Sequence, residues 1–498
     1  MTTKPNTYSI GVIFTPIDWA SFACSKFDIY NSWINGSTIF DPTMGQGNLL
    51  AALIEIGRLK GLSIDQMPVQ NLFGNELNSE HYEEAIDRFK QDYKVDMQSN
   101  FTNSDIFELE PTEYDIIFGN PPWMNFTELP SEYKTKLKSL FIEYDLVENP
   151  KKMLLGSSRI DIAALVIQKT ISDFLAPNGH AYFFQPLSLL LNDGAHDSFR
   201  RYKVKGIDFS VKQVFDFNET SVFPGVSTRH GLVHYRKNEL VKYPISYYRC
   251  IDNEWLEQHA APILSSTGPL SVYNKNSPSP LANFKPTHLK KSAKPRQGIN
   301  TSGANSIFFF NSYEDIDTDT CRLNKTILLP KIFVFPLLVA ENFKKSSISP
   351  KKWVLLPYTQ EGKPLEKKTI QSHVLLWNYL KQHQTSLIAR KGKMIQTWRD
   401  RGYWWALLGV GKYNFAPHKV VWEAYGRRTF EPTIFSGRWQ VNQSLQAYIP
   451  TGDTPEAKRI QSALKNPIIE DYLHSLKMDG TMNWAQPGKI SKLFNFID

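Results

Sequence analysis

The sequence predicts an α/β fold: a doubly wound, mostly parallel sheet (a Rossmann-like domain) followed by a second, basic domain of mixed α/β structure. Three observations carry this. Strand-like and helix-like patterns alternate from about Thr38 to Phe118. Side chains that can accept hydrogen bonds, Asp41, Glu76, Asp105 and Asn120, stand where those strands end. After about Lys242 the periodicity stops and the chain turns basic.

The elements follow in order. "STIFD" (Ser37 to Asp41) reads as a short strand. "GNLLAALIEIGRLKG" (Gly47 to Gly61) has apolar residues at helical spacing and ends in Gly. "NLFGNEL" is a second strand, and "SEHYEEAIDRFKQDY" is a second helix with a Ser–Glu start. A short third strand precedes "NSDIFE", and "YDIIFGN" is a further apolar strand. "IDIAALVIQKTISDFLAPNG" reads as a long helix closed by Pro-Asn-Gly, and "HAYFFQP", "VKQVFDF" and "GLVHYRK" as strands. Residues 1–245 are therefore expected to form the first domain. The stretch "NKNSPSPLANFKPTHLKKSAKPRQG" is rich in Ser, Pro, Asn and Lys, so residues 246–300 are expected to be a linker and the start of the second domain. Residues 301–498, dense in aromatics, are expected to fold as that domain.

Composition narrows the function. With 41% hydrophobic residues over 498 positions, the chain can bury large cores. No run of 18 apolar residues marks a membrane span, and the N-terminus lacks the apolar core of a signal peptide. Cys24, Cys250 and Cys321 are too far apart for a zinc spacing or a Cys-x-x-Cys pair, so no metal site is expected. A reducing cytoplasm fits this. Residues 1–250 carry 24 Lys and Arg against 30 Asp and Glu, a net of −6; residues 251–498 carry 33 against 19, a net of +14. An acidic half joined to a basic half suggests a polyanion held by one part and worked on by the other.

The stretch "FGNPPWMNF" (Phe118 to Phe126) sharpens this. Proline fixes φ, donates no backbone hydrogen bond and pushes its predecessor out of helix. Asn120-Pro121-Pro122 is thus a stiff, extended set of acceptors, with the flat ring of Trp123 beside it. That pairing suits a planar ligand bearing an amino group, such as a nucleobase. Upstream, "FDPTMGQGNLL" (Phe40 to Leu50) joins the first strand to the first helix. Gly45 and Gly47 allow a tight turn and close approach of backbone to a ligand. The motif lacks both a Gly-Lys-Ser/Thr ending and the Gly-x-Gly-x-x-Gly fingerprint. Asp41 would suit an ammonium-bearing ligand, and Glu76 a ribose held through its hydroxyls. Asp105 could accept from an exocyclic amine, with Ile106 packed on a flat ring.

The order "GVIFTP", "DPTMGQGN", Glu76, "SDIF", "NPPW" resembles the S-adenosylmethionine-dependent amino-methyltransferases of DNA. It is most similar to the γ-class adenine-N6 enzymes with a TaqI-like layout, in which a target-recognition domain follows the methyltransferase domain. The resemblance covers roughly residues 8–240; the second domain matches only loosely, through "PRQGINTSGANSIFFF". It implies that Thr15 contacts the cofactor and that Asp41, Thr43, Gly45 and Gly47 line its methionine moiety. Glu76 would hold the ribose, and Asp105, Ile106 and Leu165 the adenine ring. Asn120 and the Pro121 carbonyl would bind the target amine, ahead of Pro122. Trp123 would stack on the flipped base, where Tyr is the commoner choice. "SVFPGVST" would supply Phe223 as the opposite face.

The implied activity is transfer of a methyl group from S-adenosylmethionine to N6 of an adenine flipped from double-stranded DNA. The setting would be restriction–modification or phage defence, with any endonuclease or defence subunit a separate chain and no membrane partner. About a dozen residues precede the Thr15 motif, too few for a fused nuclease domain. Cytosine-N4 chemistry, an RNA or protein substrate, and an inactive DNA-recognition subunit are the alternatives; Asn before the two prolines favours adenine.

Overall fold

The computed structural model describes residues 13–147, 160–192, 196–217, 220, 222–223, 225–226, 228–263, 265–276, 287–344, 349–425, 430–443, 446–475 and 485–497. The first two residues of "GVIFTP", three positions of "SVFPGVST" (221, 224 and 227) and residues 277–286 of the expected linker lie outside them. The chain divides into two compact units, Met1–Ser279 and Pro280–Asp498.

The first unit is built on one sheet. Its strands are β1 (Ile39–Asp41), β2 (Leu72–Glu76), β3 (Phe101–Asn103), β4 (Tyr114–Gly119), β5 (Leu175–Pro186), β6 (Lys203–Val204), β7 (Ile207–Asp216), β8 (His230–Lys237), β9 (Ile245–Ile251), β10 (Glu254–Pro262) and β11 (Leu270–Asn274). The spatial order is β11-β10-β9-β7-β8-β5-β4-β1-β2-β3, with β6 paired to β7. The run β3-β2-β1-β4-β5 is parallel throughout. Beyond it, β8 lies antiparallel between β5 and β7.

Alternating side chains explain why the sheet is covered on both faces. Phe40, Ile117, Ala181 and Phe183 enter one core with α5 (Ser131–Glu143) and α6 (Ile162–Lys169). Ile39, Ile116, Phe118, Tyr182 and Phe184 enter the other, with α1 (Ile17–Lys26), α3 (Asn48–Leu59) and α4 (Ser79–Arg88); the short α2 (Ile29–Ile34) joins this face. A strand buried on both sides must be apolar in consecutive positions, which is why "YDIIFG" reads as a run. The expected doubly wound sheet is present.

Two expectations change. The first domain was expected to end at residue 245, yet Ile245 opens β9, which pairs in parallel with β7, and β10 and β11 extend the sheet. Pairing across a sheet decides this, and local composition does not report it. The long helix expected through Gly179 stops early: α6 ends at Lys169, a wide turn spans Thr170–Phe174, and Leu175 already pairs with Tyr114. The register then shifts over Ala176–Gly179, where Asn178 is left-handed, so Pro-Asn-Gly makes a bulge and not a helix stop.

The second unit holds a four-stranded antiparallel sheet in the order Arg296–Gln297, Gln446–Thr451, His418–Glu423, Thr433–Ser436. Two three-stranded antiparallel sheets accompany it. Four helices follow one another: α7 (Lys367–Ser372), α8 (Val374–Gln382), α9 (Gln384–Ile388) and α10 (Lys393–Asp400). The aromatics noticed in the sequence supply its interior: Phe308, Phe310, Tyr358, Trp405, Trp422 and Tyr448 are all buried. No helix among the described residues is long and apolar enough to cross a membrane.

Two tests follow from the way loops join the parallel strands. Gly47 has φ +74°, and a Cβ there would lie 2.9 Å from the buried Phe89 ring. Gly47→Ala should cost about 1–3 kcal/mol from strain and overpacking, read as a lower urea midpoint. Asp161 caps α6 by accepting from the Ala163 and Met124 amides, and so ties the segment after "NPPW" to that helix. Burial, set against those amide bonds, pushes the Asp161 carboxyl up to about 7. A carboxyl raised above its unfolded value of about 3.9 contributes stability that is full below that pH and is lost as pH rises through 7. Asp161→Asn keeps an acceptor and removes the charge. Its melting temperature should rise relative to the parent between about pH 5 and 8; a constant offset would contradict the assigned shift.

Candidate active site

Parallel α/β sheets leave a crevice at the carboxyl ends of the strands, where the strand order reverses. Here the order reverses at β1, between β2 and β4. A cavity of about 450 Å³ lies there. Thr15, Asp41, Thr43, Gly45, Glu76, Asp105, Ile106, Asn120 and Pro122 all line it. Residues from five separate stretches of sequence are thus gathered into a space of ligand size.

The loops that gather them are cross-linked. Glu76 Oε2 accepts the Gly45 amide at 2.8 Å and its Oε1 the Asn78 amide at 2.8 Å. The Asn75 carboxamide donates to the carbonyls of Pro42 and Ser104. Thr43 Oγ1 donates to the Asn120 carbonyl at 3.2 Å. Gly45 has φ +54°, and a Cβ there would lie 2.9 Å from the Phe14 ring, so the turn after β1 has room for nothing larger.

Asp41 and Asn120 each carry one unused oxygen. Asp41 Oδ1 accepts the Thr43 amide at 3.1 Å, while its Oδ2 is buried without a partner. Burial raises the Asp41 pKa well above the usual carboxylate range, opposed by the Thr43 amide and reinforced by nearby Glu76. Asn120 Nδ2 donates to the Ile13 carbonyl at 2.9 Å and to Thr15 Oγ1 at 3.1 Å. A carbonyl can only accept, so the amide orientation is fixed and Oδ1 is the free end. That Oδ1 is buried and unpartnered. An unpaired buried acceptor costs roughly 1–3 kcal/mol, a debt that a donor arriving with a ligand would cancel.

Asp105 differs from expectation. Its Oδ1 accepts the Phe107 amide, and its Oδ2 is held by Lys136 Nζ at 2.7 Å and by the Tyr133 hydroxyl at 3.3 Å. Burial alone would lower the Lys136 pKa, but its bonds to Asp105 and Glu108 outweigh this and raise it. Sequence reasoning missed Tyr133 and Lys136 because α5 lies about thirty residues from Asp105 and carries no motif. Leu165 also moves: it is fully buried in the core, and Ile162 and Val166 of the same helix line the cavity instead. Those two are four apart and share a helix face, a spacing the sequence did contain.

The remaining expected residues lie beside the cavity and do not line it. Pro121 is buried, and Gly47 starts α3. Trp123 Nε1 donates to the Phe184 carbonyl at 3.4 Å. Phe223 is buried and stands edge-on to Trp123, with ring centroids 5.0 Å apart and planes at 89°. The two rings therefore touch, with no parallel gap between them. His230, which the sequence reading did not single out, stacks obliquely on Trp123 at 5.3 Å. Burial lowers its pKa, so the ring is neutral near pH 7. Its Nδ1 lies 2.8 Å from the Thr228 carbonyl and so carries the proton, while Nε2 is a buried acceptor without a partner. At the ends of β7 and β8, the Arg229 guanidinium grips the Asp216 carboxylate, which also accepts from the Tyr247 hydroxyl. This clamp fixes both ends of the loop that carries Phe223.

Residues 22–223 match the family model of the Eco57I restriction-modification methylase. A comparison with curated proteins returns no match. Among solved structures, the chain is similar to the Type IIL restriction-modification enzyme MmeI in complex with DNA: 12% identity, 94% of this chain and 64% of that one, TM-score 0.55. It is also similar to the type IIG restriction endonuclease BpuSI (14% identity, 98% and 59%, TM-score 0.41). A nuclease-deletion mutant of the Type ISP restriction-modification enzyme LlaGI gives 16% identity over 60% and 30%, TM-score 0.42. This chain spans less than two thirds of the length of each. At such identities the likeness is one of fold, and the fold is shared with the first of these enzymes.

Proposed function

We propose that the chain is a DNA methyltransferase of the restriction–modification type that transfers a methyl group from S-adenosylmethionine to N6 of an adenine flipped out of the duplex. The observation that carries this reading is Asn120: its amide nitrogen is committed to Ile13 and Thr15, and its buried oxygen has no partner. An acceptor fixed in this way, next to a proline carbonyl, is what an exocyclic amine requires. The match of residues 22–223 to a restriction-modification methylase family supports the methyltransferase part of this reading.

The cavity fits the cofactor in size and in chemistry. Asp41 Oδ2 would take the ammonium group, whose charge offsets the burial that raises this carboxyl's pKa. Glu76 would accept from the ribose hydroxyls, since each of its oxygens has a lone pair left beyond its amide bond. Ile106, Ile162 and Val166 would pack on the adenine ring. Asp105 would accept the ring's amino group once Lys136 gives way. When bound, S-adenosylmethionine supplies an electrophilic methyl on a sulfonium.

The chain's own residues then position the target. The amine of adenine is a poor nucleophile because its lone pair is delocalised into the ring. Asn120 Oδ1 and the Pro121 carbonyl draw its two hydrogens aside and turn the lone pair toward the methyl carbon. The cofactor held there would give up its methyl with the C–S pair kept on sulfur, and the surplus proton of the methylated amine would pass to water. This is positioning and electrostatic stabilisation, without a covalent enzyme intermediate. Stacking on Trp123, at roughly 1–3 kcal/mol, offsets the cost of extruding the base. Phe223 must swing off Trp123 to admit it, about the ends clamped by Asp216 and Arg229.

The test is direct. Duplex DNA incubated with the protein and S-adenosylmethionine, then digested to nucleosides, should yield N6-methyladenine by mass spectrometry. N4-methylcytosine would correct the base, and no DNA product with cofactor still bound would overturn the DNA reading. Asn120→Ala should lower the transfer rate at least a hundredfold, the scale of losing one transition-state hydrogen bond. Cofactor affinity, measured by calorimetry, should change only a few-fold; equal loss of both would remove Asn120 from the chemistry.

A further inference from the structure

The charge of the second unit is concentrated. Residues 367–401 carry eight Lys and Arg against one Asp, a net of +7, half of the +14 of residues 251–498. Within this stretch α10 leaves most of its surface exposed. A helix packed on a globular core buries a broad stripe; α10 buries Ile395 alone. Its inner face is Ile395, Trp398 and Arg399, spaced three and four apart. Its outer face, Lys393, Gln396, Thr397 and Asp400, is exposed, as are Lys391 and Arg401 at its two ends. Met394, an apolar residue, is 68% exposed.

This exposed helix is nonetheless held by several contacts. Just before it, the buried Arg390 spends its guanidinium on the carbonyls of Leu387, Thr301 and Trp404. Arg399 Nη1 donates to the Ile388 carbonyl at 3.1 Å. Trp398 packs edge-on against Tyr403, whose hydroxyl donates to Glu366 at 2.6 Å, and the Arg401 guanidinium lies over the Trp398 ring. The outward side chains are spared such duties. Among the described residues Lys391 and Lys393 make no ion pair, and the Gln396 side chain makes no hydrogen bond, its backbone N–H alone donating to the Gly392 carbonyl. The Thr397 hydroxyl is already given to the Lys393 carbonyl, which leaves Gln396 as the free polar group.

We propose that α10 is the element that docks into the major groove of the substrate duplex, a proposal that rests on the DNA reading above. Eight residues make a helix about 12 Å long, and the major groove, about 12 Å wide, admits a helix. The cations Lys391, Lys393 and Arg401 at its ends meet phosphates. Gln396 between them meets base edges, Gln suiting adenine. The occupant is argued from charge: Lys391, Lys393 and Arg401 are exposed at the ends of the helix, and its one carboxylate, Asp400, is paired with Arg399, an arrangement that complements a polyanion.

The experiment uses the full chain and duplex DNA that carries methylation sites mapped for the parent. Lys391→Ala/Lys393→Ala should weaken DNA binding and flatten the slope of log K against log salt by about 2, one phosphate contact per lysine. Lys391→Arg/Lys393→Arg should restore both, which a folding defect would not allow. Gln396→Ala should keep the salt slope and broaden the set of sites methylated. Unchanged binding, slope and site map in these variants, with methyl transfer to DNA intact, would overturn the role of α10 and leave the proposed function standing. Absence of any DNA binding or transfer by the parent protein would overturn both.

Discussion

The site depends on Glu76. Its carboxylate sits at the end of β2 and accepts one amide from the turn after β1 and another from the start of α4. Hydrogen bonds to a charged group are worth roughly 1.5–3 kcal/mol each, about twice a neutral one. They hold Gly45 in its left-handed conformation and bring the Asp41 loop toward the β2 loop. Asn75, one residue earlier, reaches the loops after β1 and β3, and Thr43 reaches Asn120 after β4. Four strand-end loops become one framework, so the spacing between Asp41 and Asn120 is set by the sheet and not by either loop alone.

On this framework the polar groups fall into two kinds. Some are satisfied by the chain itself, as Asp105 is by Lys136 and Tyr133 and the Trp123 N–H by the Phe184 carbonyl, while Phe223 and His230 cover the Trp123 ring. Others are left unpaired in buried surroundings: Asp41 Oδ2, Asn120 Oδ1 and His230 Nε2. Contacts of the first kind must be exchanged when a ligand arrives, which costs free energy and delays binding. Groups of the second kind gain a partner outright. In the proposed reaction the cofactor's ammonium and the target amine meet the second kind, so the chemistry is directed at atoms for which the protein has no partner of its own. The contacts that must break lie at the rims, on α5 and on the loop between β7 and β8.

The two units spend their aromatic residues differently. In the first, Trp123, Phe217, Phe223 and His230 cluster beside the site, and rearrangement there is part of the proposed function. In the second, Trp405, Trp422 and Tyr448 are buried in the interior, while α10 buries only Ile395 of its own residues. The basic excess seen in the sequence is carried by exposed side chains there, while Arg390 is consumed in bracing the helix.

The parallel sheet was legible because a strand buried on both faces must be an unbroken apolar run, and because its helices keep a regular period. The four strand-end residues were legible because the acceptor chemistry of Asp41, Glu76, Asp105 and Asn120 recurs at the same place in each repeat of the pattern. Tertiary structure decided what depends on distant partners. Lys136 reaches Asp105 across thirty residues of sequence, and Ile162 and Val166, not Leu165, face the cavity because helix rotation is set by packing. Phe223 lies against Trp123, and β9 continues the sheet past residue 245, because pairing and ring contacts are formed in space and leave no mark in local composition. Sequence fixes which atoms are available; the fold decides which of them already have a partner.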